Sequence, residues 1–189
     1  MWPGSASTSS FATRDQRLVA RRRGGRGRRF PLGRGASGLV LTGGATPRYT
    51  AAPDWPHGGT RDDVAGVLAA VAADRATTFK GIAGAVCAVP VSAEVLDWMW
   101  GMFMEMGPRG DDSLRDLAET DQRKIAAALE VPVLLLHGRQ DGFVAFSGAE
   151  AARDLYPDAR LVEFAECGHA PFLEDRDTYL AELTGFLNQ

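Results

Sequence analysis

Asp141, in the segment GRQDGFV, and His169, in ECGHAPF, are the side chains whose types and spacing could do chemistry together. A carboxylate bonded to one nitrogen of an imidazole fixes its tautomer. It also stabilises the imidazolium that forms when the other nitrogen takes a proton, which makes such a pair a general base with its orienting acid. Taken singly, an Asp in a glycine-containing turn is an ordinary turn residue, and a His in a loop is ordinarily structural. Their joint placement is what points to catalysis. The other histidines read differently: His137, at the end of an apolar run, is expected to pack and bond backbone, and His57 in WPHG to lie on a surface loop. Cys167 could pass for a nucleophile, but it stands two positions before His169 and reads as a small buried filler.

The elements that must position this pair are legible around it. Pro132 to His137, PVLLLH, is a continuous apolar run fit for a strand buried on both faces, and it leads into the loop 138–144 that carries Asp141. A helix is expected from Ser147, with Glu150 completing a capping box, to about Tyr156, followed by a strand over Arg160 to Phe164. The loop 165–170 then carries His169, and a last helix places Tyr179, Leu180, Leu183, Phe186 and Leu187 on one face. Strand, helix and strand at this spacing make a right-handed parallel crossover. Both loops therefore leave carboxyl ends of adjacent strands, where functional side chains gather in such sheets. Further upstream, GLVLTGG at Gly38 to Gly44 reads as another buried parallel strand. Thr60 and Asp63 form a capping-box start for a helix bearing Val64, Val67, Leu68 and Val71, and Ser92 caps a segment with Val95, Leu96, Met99, Trp100 and Phe103. The stretch from Asp111 to Lys124 reads as polar, leading into Ile125 to Leu129.

The composition suits one globular domain: 189 residues, 45% hydrophobic and 24% charged, with 22 Gly, 10 Pro and 2 Cys. Collagen-like and disulfide-framework classes are excluded. No run approaches the roughly 20 apolar residues of a spanning helix, and no secretory signal is visible, so a soluble cytoplasmic protein is expected. Cys87 and Cys167 suit a reducing compartment, and neither has a partner at metal-ligand spacing.

The net charge of -3 hides an asymmetry, because residues 1–34 hold nine Arg and one acid, Asp15. The run RRRGGRGRR from Arg21 to Arg29 cannot bury enough surface to offset ordering, so the segment is expected to be disordered. It reads as a start foreign to the domain or mis-read, a solvated tail, a transit peptide, or an Arg-Gly nucleic-acid arm. Nucleic acid is the least favoured partner: only Phe11 and Phe30 are at hand for stacking, and the remainder of the chain is acidic.

At the acid loop HGRQDGFV and the histidine loop CGHAPFLED the sequence resembles the carboxy-terminal half of an α/β-hydrolase. VLTGGATPRYTAAPDWPHG at Val40 to Gly58 and AVPVSAEVL at Ala88 to Leu96 extend the resemblance to the pimeloyl-[acyl-carrier protein] methyl ester esterases, over about residues 36–187. The resemblance implies an α/β fold of the last three parallel strands with flanking helices, core over 35–59 and 125–189, and a helical lid inserted over 60–124. It makes Asp141 the triad acid and His169 the triad base, and Phe79 a lid residue touching an acyl chain. Trp100, in the soft apolar run from Trp98 to Met106, and Phe143, beside the acid, are further candidate substrate contacts; the alternative for the run is a helix buried against the core. The family's reaction needs no cofactor and no metal: a serine hydrolyses an ester of an acyl chain, small or linked to a carrier protein.

Two departures stand out. No G-x-S-x-G elbow occurs in the chain; Gly35 to Leu39, GASGL, has the wrong spacing, and Ser37 there sits at a strand entry rather than on a strand-to-helix turn. The oxyanion-hole loop and the first five strands of the family are likewise missing, so the chain by itself is expected to be inactive. The lid segment between Phe79 and Pro90 carries only Lys80 as a base, which does not favour docking of an acidic carrier protein. The competing reading is a non-catalytic pseudo-hydrolase, or a fragment, that binds an acyl ligand or a protein partner at an exposed sheet edge.

Overall fold

A computed structural model describes residues 36–107 and 109–188. The arginine-rich segment, with every expectation placed on it, lies outside the described residues. Three strands, β1 (Leu39–Thr42), β2 (Val133–Gly138) and β3 (Ala159–Phe164), form a parallel sheet in the order β1-β2-β3. Leu41 stands opposite Leu135, and Leu136 opposite Val162. Gly43 and Gly44 end β1 where the apolar run stops.

β2 forms because alternate side chains find apolar cover on both faces. Val133 and Leu135 join Leu41, Leu129, Ala152 and Tyr156 on one face, while Leu134 and Leu136 join Val40, Phe164, Cys167 and Tyr179 on the other. Burying each such aliphatic side chain contributes about 1.5–3 kcal/mol relative to leaving it in water. Helix α6 (Phe146–Leu155) lies on the first face and α8 (Arg176–Leu187) on the second, with the four-residue α7 (Pro171–Glu174) leading into α8. On the second face Thr42 Oγ1 and Tyr179 Oη share a buried hydrogen bond of 2.9 Å. With both sheet faces packed, the exposed large apolar side chains lie instead on helices: Val67, Trp98, Met102, Met104, Ile125 and Leu180.

Between β1 and β2 run five helices: α1 (Arg61–Ala73), α2 (Arg75–Ala85), α3 (Ala93–Met104), α4 (Arg109–Glu119) and the short α5 (Arg123–Ala126). The expected capping box at α1 is present, with Thr60 N donating to Asp63 Oδ2 at 2.7 Å and Asp63 N to Thr60 Oγ1 at 3.1 Å. Ser92 caps α3 through Val95 N.

The polar stretch from Asp111 to Lys124 overlaps the helix Arg109–Glu119, whose sparse Leu114 and Leu117 face the interior. One expectation fails. Ser147 and Glu150 do not cap α6: the helix starts one residue earlier with Ala145 at its N-cap, and the Ser147 hydroxyl instead meets His57 Nδ1 at 3.1 Å. No helix among the described residues is long and apolar enough to cross a membrane.

Candidate active site

β2 and β3 deliver their loops to one end of the sheet, where two backbone bonds join them: Arg139 N donates to Phe164 O and Gln140 N to Cys167 O. A third, from His169 N to Val86 O, ties the β3 loop to the end of α2. The approach is so close at Gly138 that a Cβ there would fall 1.9 Å from Gly168 O and 2.3 Å from Cys167 O, so only glycine fits. His169 Nδ1 lies 2.8 Å from Asp141 Oδ2. A carboxylate only accepts, so Nδ1 carries the hydrogen and Nε2 the lone pair of the neutral ring.

The Asp141 side chain is 0% exposed and that of His169 is 19% exposed. Asp141 Oδ1 accepts from Phe143 N at 2.8 Å and Val144 N at 3.0 Å, while Oδ2 also faces His137 Nε2 at 3.2 Å. Burial opposes the charge on Asp141, but the bonds from His137 and His169, together with the Val144 amide, outweigh it and hold the carboxyl well below the usual carboxylate range. His137 Nε2 also lies 2.9 Å from Val144 O. With acceptors on both sides, Nε2 is the protonated nitrogen of His137, clamped between the acid and its own loop.

His169 borders an apolar cavity of about 520 Å³. Its walls come from α1 (Val64, Val67), α3 (Trp98, Met99, Met102, Phe103), α4 (Leu114, Leu117), the loop after β2 (Phe143) and α7 (Phe172). Volume and lining are those of a site for a small apolar ligand. Phe143 stands edge-on to His169 with ring centroids 5.5 Å apart.

No family model matches the chain. It is 30% identical over 151 residues to the AB hydrolase superfamily protein YisY of Bacillus subtilis strain 168, a match covering 79% of this chain and 56% of that protein. Against a pimeloyl-[acyl-carrier protein] methyl ester esterase of Chromobacterium violaceum the figures are 28% over 152 residues, 79% of this chain and 59% of that one. Among solved structures, the esterase EaEST from Exiguobacterium antarcticum superposes with a TM-score of 0.79 at 26% identity, over 83% of this chain and 59% of that one. The chain has the fold of the carboxy-terminal part of an α/β-hydrolase and is similar in sequence to these proteins. It spans somewhat more than half the length of each of these relatives.

The two residues expected to form the acid and base are in direct contact, and Phe143 lines the cavity beside them. Phe79 and Trp100, expected as substrate contacts, are not among the residues that line it. Phe79 is 2% exposed, stacked behind Phe103 and under the Arg75 guanidinium. Trp100 donates its indole N–H to Ala76 O and lies under Lys80, and α3 instead presents Trp98, Met99 and Met102 to the cavity, with Met99 buried and Trp98 and Met102 at its open side. A 3.6-residue period divides α3 into faces but does not say which neighbour each face meets.

His137 bonds backbone as expected, yet its contact with the acid is an addition. The signal was its spacing of four from Asp141 across the strand end. Glu174 is a second residue that sequence reasoning missed. It accepts from Gly168 N at 2.9 Å and Ala170 N at 3.3 Å, on either side of His169, and from Ala88 N at 2.6 Å and Val89 N at 3.1 Å. One carboxylate thereby ties the base loop to the segment leaving α2. Cys167 packs in the core as expected, and burial, then the charge of Glu174, pushes its thiol up to about 11, unlike a reactive cysteine.

Proposed function

We propose that this chain carries the acid and base of a carboxylic-ester hydrolase, with the acyl part of the substrate lying in the 520 Å³ cavity. The observation that carries this reading is the His169–Asp141 bond of 2.8 Å at the wall of that cavity. In the proposed reaction a serine hydroxyl gives its proton to His169 Nε2 as its oxygen bonds to the ester carbonyl carbon. The departing alkoxide then takes that proton, and a water repeats the sequence to release the acid. Asp141 stabilises the imidazolium at each stage. The serine and the oxyanion-binding amides are assigned to polypeptide outside residues 36–188, in keeping with the greater length of the relatives. Helices α1 to α4 take the part of the lid.

A small ester is preferred over one linked to an acidic carrier protein. Lys80 already faces Asp97 at 3.7 Å, Arg61 faces Glu119 at 2.7 Å and Arg75 faces Asp111 at 3.6 Å, leaving these cations of the helical layer paired with its own acids. The test is complementation. The chain is co-expressed with the part of YisY that it does not match, and p-nitrophenyl acetate hydrolysis is measured. Turnover is expected with both pieces and is expected to fall by about 10³-fold or more in His169→Ala, with no turnover from the 189-residue chain by itself. Turnover indifferent to His169 and Asp141 would refute the assignment.

A further inference from the structure

The acid carries a second imidazole. His137, near the end of β2, is 1% exposed, and its Nε2 lies 3.2 Å from Asp141 Oδ2, the same oxygen that meets His169. The same Nε2 lies 2.9 Å from Val144 O, while Val144 gives its amide to Asp141 Oδ1. Acid, Val144 and His137 thus close a ring of contacts at the end of the strand. Phe146, at the start of α6, packs edge-on to the imidazole with ring centroids 5.9 Å apart. Glu163, the register partner of His137 on β3, is paired with Arg139, which leaves the imidazole to the acid loop. An aliphatic side chain would serve for packing at this buried position, so the N–H directed at the acid loop calls for its own explanation.

From this geometry we propose that His137 is a positioning residue of the acid-base pair: it shares Asp141 Oδ2 with His169 and moderates how tightly the acid holds the His169 proton. Each donor that reaches a carboxylate oxygen spreads its charge and weakens its pull on the next donor. The amides of Phe143 and Val144 on Oδ1 keep the acid ionised, so the share of Oδ2 taken by His137 comes out of the attraction left for the His169 imidazolium. A base that must take a proton and then hand it to a leaving group works best when its proton affinity lies near the ambient pH. A buried acid acting on one imidazole alone would hold the proton too well. The inference rests on the reading of Asp141 and His169 as acid and base, and it adds a third side chain to that pair. The titratable groups around His169 among the described residues also include Glu174, on the amides either side of it, and Tyr49 and Asp63 on the cavity wall. These stay the same in every variant compared below.

The test is NMR of the full 189-residue chain carrying isotope-labelled histidine. In the unsubstituted chain the ring-nitrogen shifts are expected to show His137 protonated at Nε2; protonation at Nδ1 alone would overturn the proposal without any variant. His137→Leu fills the same space without a donor. It is expected to move the His169 Nδ1 proton further downfield and to raise the His169 proton affinity about three- to tenfold, read from the titration of its Cε1 proton. His137→Gln keeps an N–H and is expected to stay within about twofold of the unsubstituted chain. A purely structural role would instead broaden or erase the His169 resonance in both variants, with the urea midpoints falling together. That outcome, or a His169 titration unmoved by His137→Leu, overturns the proposal. The esterase reading is tested separately by turnover in the complementation assay, where His137→Leu is expected to shift the acid limb of the pH-rate profile to higher pH by the same factor. Absence of turnover from the unsubstituted pieces counts against the esterase reading and not against the placement of His137, which the NMR result decides.

Discussion

Replacing Glu174 by alanine tests how the base loop is held in place, and its effect can be worked out in advance. The carboxylate accepts from four backbone amides: Ala88 N, whose bond is exposed, and Val89 N, Gly168 N and Ala170 N, which are partly buried. An amide that can turn to water loses little. A partly buried amide deprived of its acceptor forfeits about 1 kcal/mol, the low end of the range for an unsatisfied buried donor. Three such groups place the loss near 3 kcal/mol for Glu174→Ala. Glu174→Gln keeps one carbonyl acceptor and is expected to lose about 1 kcal/mol. Urea denaturation of the full chain at pH 7.5 reads these directly, with the slope of the transition unchanged. A structural role elsewhere in the molecule would produce the same loss, so a second readout is needed. The His169 Nδ1 proton, hydrogen-bonded to Asp141, gives a downfield NMR resonance that is expected to broaden or vanish in Glu174→Ala and return in Glu174→Gln. A stability loss below ~0.5 kcal/mol, or an undisturbed His169 resonance in the alanine variant, would refute the reasoning.

Two further outcomes follow from the same geometry. Asp141 is held below the usual carboxylate range, so its contribution to stability is fully present above the unfolded value of about 3.9 and is lost as pH falls from there through the lower folded-state value; the stability difference between the native chain and Asp141→Asn, measured by urea denaturation at stepped pH, is expected to be flat above about pH 5 and to shrink below pH 4. Gly138→Ala drives a methyl group to 1.9 Å from Gly168 O and must spread the two loops, so a loss of more than about 3 kcal/mol is expected, and a thermal shift of only a degree or two would contradict the packing described.

The three strands and the meeting of Asp141 with His169 were legible in the linear sequence because they depend on local rules. PVLLLH is apolar at consecutive positions, and only burial on both faces accommodates that. A parallel crossover then forces the loops after β2 and β3 to the same end of the sheet, so Asp141 and His169 meet without any knowledge of side-chain packing. The α1 and α3 caps are equally local, since Thr60 and Ser92 bond amides three residues on. The α6 cap followed the same pattern and failed, because Ser147 found a partner in His57, 90 residues away along the chain.

What tertiary structure alone decided is which face of each helix meets which neighbour. Phe79 and Trp100 are as apolar as Trp98 and Met102, yet the packing of α2 against α3 turns the first pair behind the wall and the second into it. The amides gathered by Glu174 come from two segments brought together only by folding, and no spacing along the chain encodes that. The charge character of the cavity belongs to the same class. Arg61, Arg75 and Lys80 lie on the very helices that surround it, and composition would have placed cations at its wall. They face Glu119, Asp111 and Asp97 outside it, because an uncompensated cation is costly in an apolar enclosure and folding leaves Arg61 and Lys80 on helix faces open to water.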